Sequence, residues 1–375
     1  MTDLTADQQT SRSDVSAGPE NTLLAVPTEL TSRRLVSIQC LRGIAALMVV
    51  FHHILHQSPG FLALCPTEAG QAGVDLFFVI SGFVMVYVTQ DRERSPQLFL
   101  AMRAARIIPV YWFYTLAAAT LMFLVHNLFR SNELTVRHVV LSMLFIPHGT
   151  GSNTDLSPIV KQGWTLNYEA FFYVLFAIAM AISMRRRAPI AITVLAAMAV
   201  AGYWMYFTGH SPGTAGFYLN GIILEFAFGM LIAKAYLNGW LERLSPVFGG
   251  ILVVAGFVAM FTLPGQVSRV LAYGVPAVVI VIGALAFERR FRVLKVPLLQ
   301  FTGDASYSIY LVHIFPVAVL RALWPHLMPM AGVVSFLLFL LLNVVSVVAL
   351  GAFSYYAVER TSLRYLRKKI QRRLS

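Results

Sequence analysis

The chain has 375 residues, of which 58% are hydrophobic and only 12% charged, a composition that excludes an ordinary water-facing surface for most of the molecule. Its formal charge of +12 raises nucleic acid as a partner, but the basic residues lie between the apolar runs, where membrane insertion alone puts them, so nucleic-acid binding is excluded as the main role. Cys40 and Cys65 are the only two cysteines; the first span separates them across the bilayer, so no disulfide and no redox compartment follow from them.

In chain order, residues 1–34 are rich in Thr, Ser, Asp and Gln and are expected to be a disordered cytoplasmic tail. Apolar runs long enough for a hydrocarbon layer roughly 30 Å thick then fall at 36–56, 72–90, 107–129, 164–183, 188–207, 217–237, 246–263, 269–287, 304–323 and 332–356. The run at 139–147 is too brief to cross and is expected to dip into the interface or re-enter. Most of the 29 basic residues lie on one side of this arrangement, with Arg130, Arg137, Lys161, Arg269 and Arg321 on the other. The expected fold is therefore an all-α integral membrane protein, a bundle of about ten transmembrane helices with both termini cytoplasmic and no appended soluble domain. Its transmembrane domain covers 35–358, and 359–375 form a basic cytoplasmic tail suited to anionic headgroups.

The first span, VSIQCLRGIAALMVVFHHILH, carries an arginine whose insertion costs roughly 2.5 kcal/mol or more unless something compensates it. Arg42 and His53 fall within roughly 20° of one helix face and about 16 Å apart along the axis, so one cleft can hold both. Snorkelling of Arg42 to the interface is the plain alternative. His56 shares the face of His53, whereas His52 is rotated away. No cysteine or second histidine cluster completes a coordination shell with His53 and His56, so no metal site is expected.

Asp75, in GVDLFFVISGFVM, falls near the outer surface at a depth comparable with His53, and Glu169, in WTLNYEAFFYV, about a turn and a half below that surface. Both acids are expected to converge on His53, where a carboxylate would favour the imidazolium or fix the tautomer that leaves the opposite nitrogen free as a base. The alternative is that each acid pairs with a buried arginine or tyrosine for packing. At the opposite depth, Arg103 and Arg106 of RAAR present two guanidinium forks on one helix side, a geometry that suits phosphate and also ordinary positive-inside charge. Glu225 is an interior residue without an assigned role. Tyr307, Tyr310 and His313 in GDASYSIYLVH recur every three residues and line one inward stripe, as the lining of either a pore or a binding cleft.

Taken in order, LRGIAALMVVFHH, GVDLFFVISGFVM, RAARIIPVYW, WTLNYEAFFYV, GDASYSIYLVH and SYYAVER resemble the acyltransferase 3 family of membrane acyltransferases, particularly the members that O-acetylate bacterial exopolysaccharides and other surface glycans. The resemblance covers roughly 36–362, with Arg42 and His53 matching the family's arginine, ten residues, histidine signature. It implies an acyl-CoA donor, most often acetyl-CoA, reached from the cytoplasm, and a polysaccharide or lipid-linked oligosaccharide acceptor reached from the other side of the bacterial inner membrane. Membrane lipids and polysaccharide-assembly proteins are the implied partners, with no permanently bound cofactor. Arg103 and Arg106 match the family's paired-arginine motif and would hold CoA phosphates, Arg42 would guide the phosphate or pantetheine portion, and His53 would act as general base with Glu169 or Asp75 behind it. A lipid-linked glycan transporter or flippase is the rival expectation, because interior charges and aromatic stripes also mark substrate paths.

Overall fold

The computed structural model describes residues 35–65, 67–90, 95–124, 134–149, 156–210, 213–264, 266–290 and 296–374. The tail expected over 1–34 and Arg130 lie outside the described residues. Among the described residues every regular element is helical. We label the main helices α1 (Val36–His56), α2 (Ala72–Val88), α3 (Pro96–Leu124), α4 (Val136–Met143), α5 (Trp164–Ile182), α6 (Arg187–Phe207), α7 (Leu224–Leu237), α8 (Pro246–Thr262), α9 (Val275–Arg290), α10 (Pro297–Asp304), α11 (Ser306–Val312), α12 (Ile314–Leu323), α13 (Val333–Ser354) and α14 (Arg360–Leu374).

Among the described residues, seven helical stretches are long and apolar enough to cross a membrane. Each of the ten apolar runs in the sequence has a helical counterpart, but not all have that length. The stretch at 304–323 is broken into α11 and α12, which bend by 40° and pass the same test only as a pair, while α8 is 17 and α7 only 14 residues long. The third run begins at Pro96 rather than 107, so the RAAR segment lies inside α3 instead of before it. The run at 139–147 forms the eight-residue helix α4, too short to cross.

Burial sorts these helices into an interior and a rim. The apolar part of the α1 stretch is 61% buried and those of Ala69–Val88 and Val270–Arg289 67%, against 17% for α6 and 22% for the stretch that contains α13. The rim helices turn large apolar side chains outward, among them Trp204, Phe207, Val254, Phe261, Leu337 and Phe353. Such a surface is compatible with lipid and not with water.

Small residues let the interior helices approach at backbone distance. A Cβ on Gly229 of α7 would lie 2.0 Å from the Val79 carbonyl oxygen of α2, and one on Gly82 of α2 would lie 2.1 Å from the Phe226 carbonyl oxygen. The same device seats α1 on α10, where a Cβ on Gly303 would fall 2.0 Å from the Gln39 carbonyl oxygen. With no hydrophobic driving force between helices in lipid, close backbone packing of this kind holds a bundle together.

The start of α1 is fixed by another helix. Glu288 of α9 accepts hydrogen bonds from the backbone N–H of Val36 (2.6 Å) and of Ser37 (3.0 Å), and from the Ser37 hydroxyl. It supplies the partners that free helix N-termini lack, with a negative charge at the positive end of the helix dipole. One turn on, Gln39 Nε2 donates to Asp304 Oδ1 at 2.7 Å. Together these contacts set the position of Arg42.

Candidate active site

Arg42 sits in the interior. Its Nη2 donates to the hydroxyl of Ser306 at 2.9 Å, and Ser306 is fully buried at the start of α11. The interruption at Ala305 between α10 and α11 presents that hydroxyl to α1. Arg42 therefore does not snorkel; it is held inward.

Around Arg42 lies a cavity of ≈ 100 Å³, lined also by Arg103, Arg106, Glu169, Tyr173, Ser81, Ser306, Tyr307 and Tyr310. Three guanidinium groups thus face one space. Glu169 is their counter-charge, and its carboxylate accepts from the Tyr173 hydroxyl and from Ser81 Oγ at 3.5 Å. The Arg103 guanidinium stands over the rings of Phe99 and Tyr173, at 5.5 and 5.7 Å, cation–π contacts that orient it without neutralising it. Glu359 is buried beyond Ser308, whose hydroxyl donates to it at 2.7 Å, and acts electrostatically on Arg106 and Arg42. It lies in a π-helical turn at Tyr355–Glu359, a local widening that often accompanies functional sites.

Tyr307 and Tyr310 line the same cavity as part of the expected inward stripe. The Tyr307 hydroxyl donates to the Ile107 carbonyl at 2.7 Å, and the Tyr310 hydroxyl bonds Thr165 Oγ1 at 2.7 Å and the Gln162 carbonyl at 2.8 Å. His313, fully buried, donates from Nδ1 to the Tyr310 carbonyl at 2.7 Å, and its Nε2 has no hydrogen-bond partner among the described residues.

His53 stands outside the cavity and is joined to it through this stripe. Its ring meets that of His313 edge-on at 4.8 Å, and His313 lies 5.9 Å from Tyr310. His53 Nδ1 is 2.9 Å from the Val49 carbonyl oxygen, which can only accept; Nδ1 therefore carries the proton of the neutral ring, and Nε2 is left with a lone pair. A backbone carbonyl fixes the tautomer that was expected to depend on a carboxylate.

The two acids do not converge on His53. Asp75, fully buried, is gripped by Arg269, whose Nη2 and Nε lie 2.7 and 3.2 Å from the carboxylate oxygens. The third guanidinium nitrogen, Nη1, donates to Gln71 Oε1 at 2.9 Å. Glu169 belongs to the arginine cavity. Both acids thus follow the alternative reading, one paired with an arginine and the other with a tyrosine. Depth along a helix is readable from sequence, but the direction in which a side chain points across the bundle depends on helix rotation, and a rotation of a few tens of degrees separates the two outcomes. Glu225 is fully buried in the neighbourhood of Asp75 and Arg269. Ser81, Tyr173, Ser306 and Glu359 were absent from the sequence-derived set; only Glu359 carried a signal, as the lone acid in SYYAVER.

A profile of the acyltransferase domain of the acyltransferase 3 family matches residues 35–353. Among curated proteins, the chain is 38% identical over 255 residues to the exopolysaccharide production protein ExoZ of Rhizobium meliloti (strain 1021), covering 67% of this chain and 77% of that protein. It is 26% identical over 306 residues to the acyltransferase MdmB of Streptomyces mycarofaciens, covering 75% and 78% of the two chains. A third relative, protein 2 in the picA locus of Rhizobium radiobacter, is 28% identical over 161 residues, 38% of this chain and 81% of the relative. No solved structure matches the chain.

Proposed function

This chain belongs to the acyltransferase 3 family and is an O-acyltransferase, and from that premise we propose that it moves an acetyl group from cytoplasmic acetyl-CoA to a sugar hydroxyl of an exopolysaccharide at the bacterial inner membrane. The observation that carries the proposal is the convergence of Arg42, Arg103 and Arg106 on one cavity, joined through Tyr310 and His313 to His53. Guanidinium forks recognise phosphate oxygens in pairs, and CoA is the acyl carrier that brings such oxygens. The exopolysaccharide acceptor is supported by the name of the relative from Rhizobium meliloti.

In this reading the ten apolar runs cross the membrane with both termini in the cytoplasm, and the arginine cavity opens to that side. The donor phosphates lie against Arg103 and Arg106, Arg42 guides the pantetheine arm, and Glu169 with Tyr173 keeps the guanidinium groups apart and aimed. The thioester reaches the depth of His53. His53 Nε2 takes the proton of the sugar hydroxyl as its oxygen attacks the thioester carbonyl; the tetrahedral adduct collapses, the C–S bond breaks, and the proton on Nε2 goes to the departing thiolate. Products are the acetyl ester and free CoA thiol. General-base help of this kind typically supplies about 10²- to 10⁴-fold. Asp75 serves the fold as the partner of Arg269.

The test is a proteoliposome assay with acetyl-CoA and glycan acceptor, read by free thiol and by acetyl ester on the glycan. Equal amounts of both are expected from the wild type, and neither from inserted His53→Ala protein.

A further inference from the structure

The end of α1 that carries His53 holds a second arrangement, which acyl transfer does not use. His52 and His56 are spaced i, i+4 on one helix side, their rings 4.0 Å apart, and Glu68 folds over them from the segment that leads into α2. His56 Nδ1 lies 3.0 Å from the His52 carbonyl oxygen, so in the neutral ring it carries the hydrogen and Nε2 bears the lone pair. That lone pair points at another acceptor, Glu68 Oε1, at 2.8 Å. The second carboxylate oxygen, Glu68 Oε2, lies 3.9 Å from His52 Nδ1, a buried nitrogen with no hydrogen-bond partner among the described residues. Two imidazole nitrogens and a carboxylate oxygen thus converge, all within 4.8 Å of one another. Acceptors meet in this way only around something positive, a proton or a metal ion.

We propose that His52 Nδ1, His56 Nε2 and Glu68 form a site for a divalent transition-metal cation of the zinc type, with water in the remaining position. Two imidazoles and one carboxylate are a ligand set suited to Zn²⁺, whose bonds to them are about 2.0–2.2 Å. Tetrahedral geometry at that length sets ligand atoms roughly 3.4 Å apart, reached here by side-chain shifts on the order of 1 Å. The surroundings supply the outer contacts such sites require: the His52 carbonyl behind His56, and Gln71 Nε2 donating to Glu68 Oε2 at 3.4 Å and to Tyr273 at 3.0 Å. Side-chain exposures of 18% for His52, 30% for His56 and 51% for Glu68 leave a path for the ion and room for water. Loading sends any proton on His56 Nε2 to solvent. The ion ties the end of α1 to the segment before α2 and braces the helix turn on which His53 sits, since the rings of His52 and His53 are 5.4 Å apart.

The proposal stands independently of the acceptor and donor of the reaction and is tested without an activity readout. The full chain in nanodiscs is stripped with chelator and titrated with Zn²⁺ against a chromophoric zinc indicator, with thermal unfolding followed in parallel. One tight Zn²⁺ per chain is expected, together with a rise in Tm that chelator reverses. His52→Ala and Glu68→Gln should each weaken binding at least about tenfold, while His210→Ala, at an exposed histidine elsewhere, should leave it unchanged. Glu68→Gln keeps side-chain size at a half-exposed position and guards against loss of fold in the histidine variant. Wild-type protein that takes up no Zn²⁺, or a Glu68→Gln variant that binds it as the wild type does, would overturn the site in favour of a protonated His56 paired with Glu68.

Discussion

Asp75 and Glu169 show how far a residue's role depends on the direction in which its side chain points. With Asp75 buried against Arg269, Asp75→Asn removes the carboxylate that the guanidinium grips. We expect a stability loss of about 3 kcal/mol, the low end for a broken buried pair because Arg269 is partly exposed, read as a fall in Tm in detergent, while transfer per folded molecule is retained. Glu169→Gln should act on the arginine cavity and raise the apparent KM for acetyl-CoA. Charge removal at Arg103 and Arg106 should do the same by at least about tenfold, one phosphate contact being worth roughly 1.5–3 kcal/mol, with the requirement for glycan little changed. Donor titrations at fixed acceptor check all three. Most of the cavity's charged members were legible in sequence, Arg42 and Glu169 because a charge inside an apolar run has to be explained by a partner, Arg103 and Arg106 through their spacing in RAAR. The partner itself was not: Ser306 and Ser81 are small hydroxyls with no pattern, and the tautomer of His53 rests on the Val49 carbonyl, a backbone group that sequence does not distinguish from its neighbours.

Among the elements, length and apolarity made the long helices readable, since a run that must span hydrocarbon has little freedom to be anything else. The breaks were hidden. The apolar run at 304–323 passes through His313 without a sign of the break there, yet α11 and α12 are separate pieces, and α10 precedes them across an interruption at Ala305 that turns Ser306 toward Arg42. The third helix begins earlier than expected because its first turns, PQLFLAMRAAR, mix polar with apolar residues while remaining helix formers. Contacts at Gly229 and Gly82 set the distance between α2 and α7. Gly229→Ala forces a Cβ against the Val79 carbonyl, and we expect a loss of about 1–3 kcal/mol, the range for overpacking, seen as a lower Tm, whereas Gly209→Ala tests backbone strain alone, since its φ of +70° has open space around it.

At the scale of the whole molecule, an arginine cavity near the start of α1 and a histidine pair toward its end lie along one helix, and the proposed reaction assigns the first to the donor and the second to the acceptor. A transporter built on the same interior charges would move glycan without consuming acyl-CoA. The decisive measurement follows free CoA thiol and glycan acetyl ester in proteoliposomes loaded with acceptor, for the wild type and for His53→Ala. Thiol and ester should appear together with wild-type protein and both should be lost with the variant, although it inserts normally. Glycan movement without thiol release, or wild-type ester formation by His53→Ala, would contradict the account.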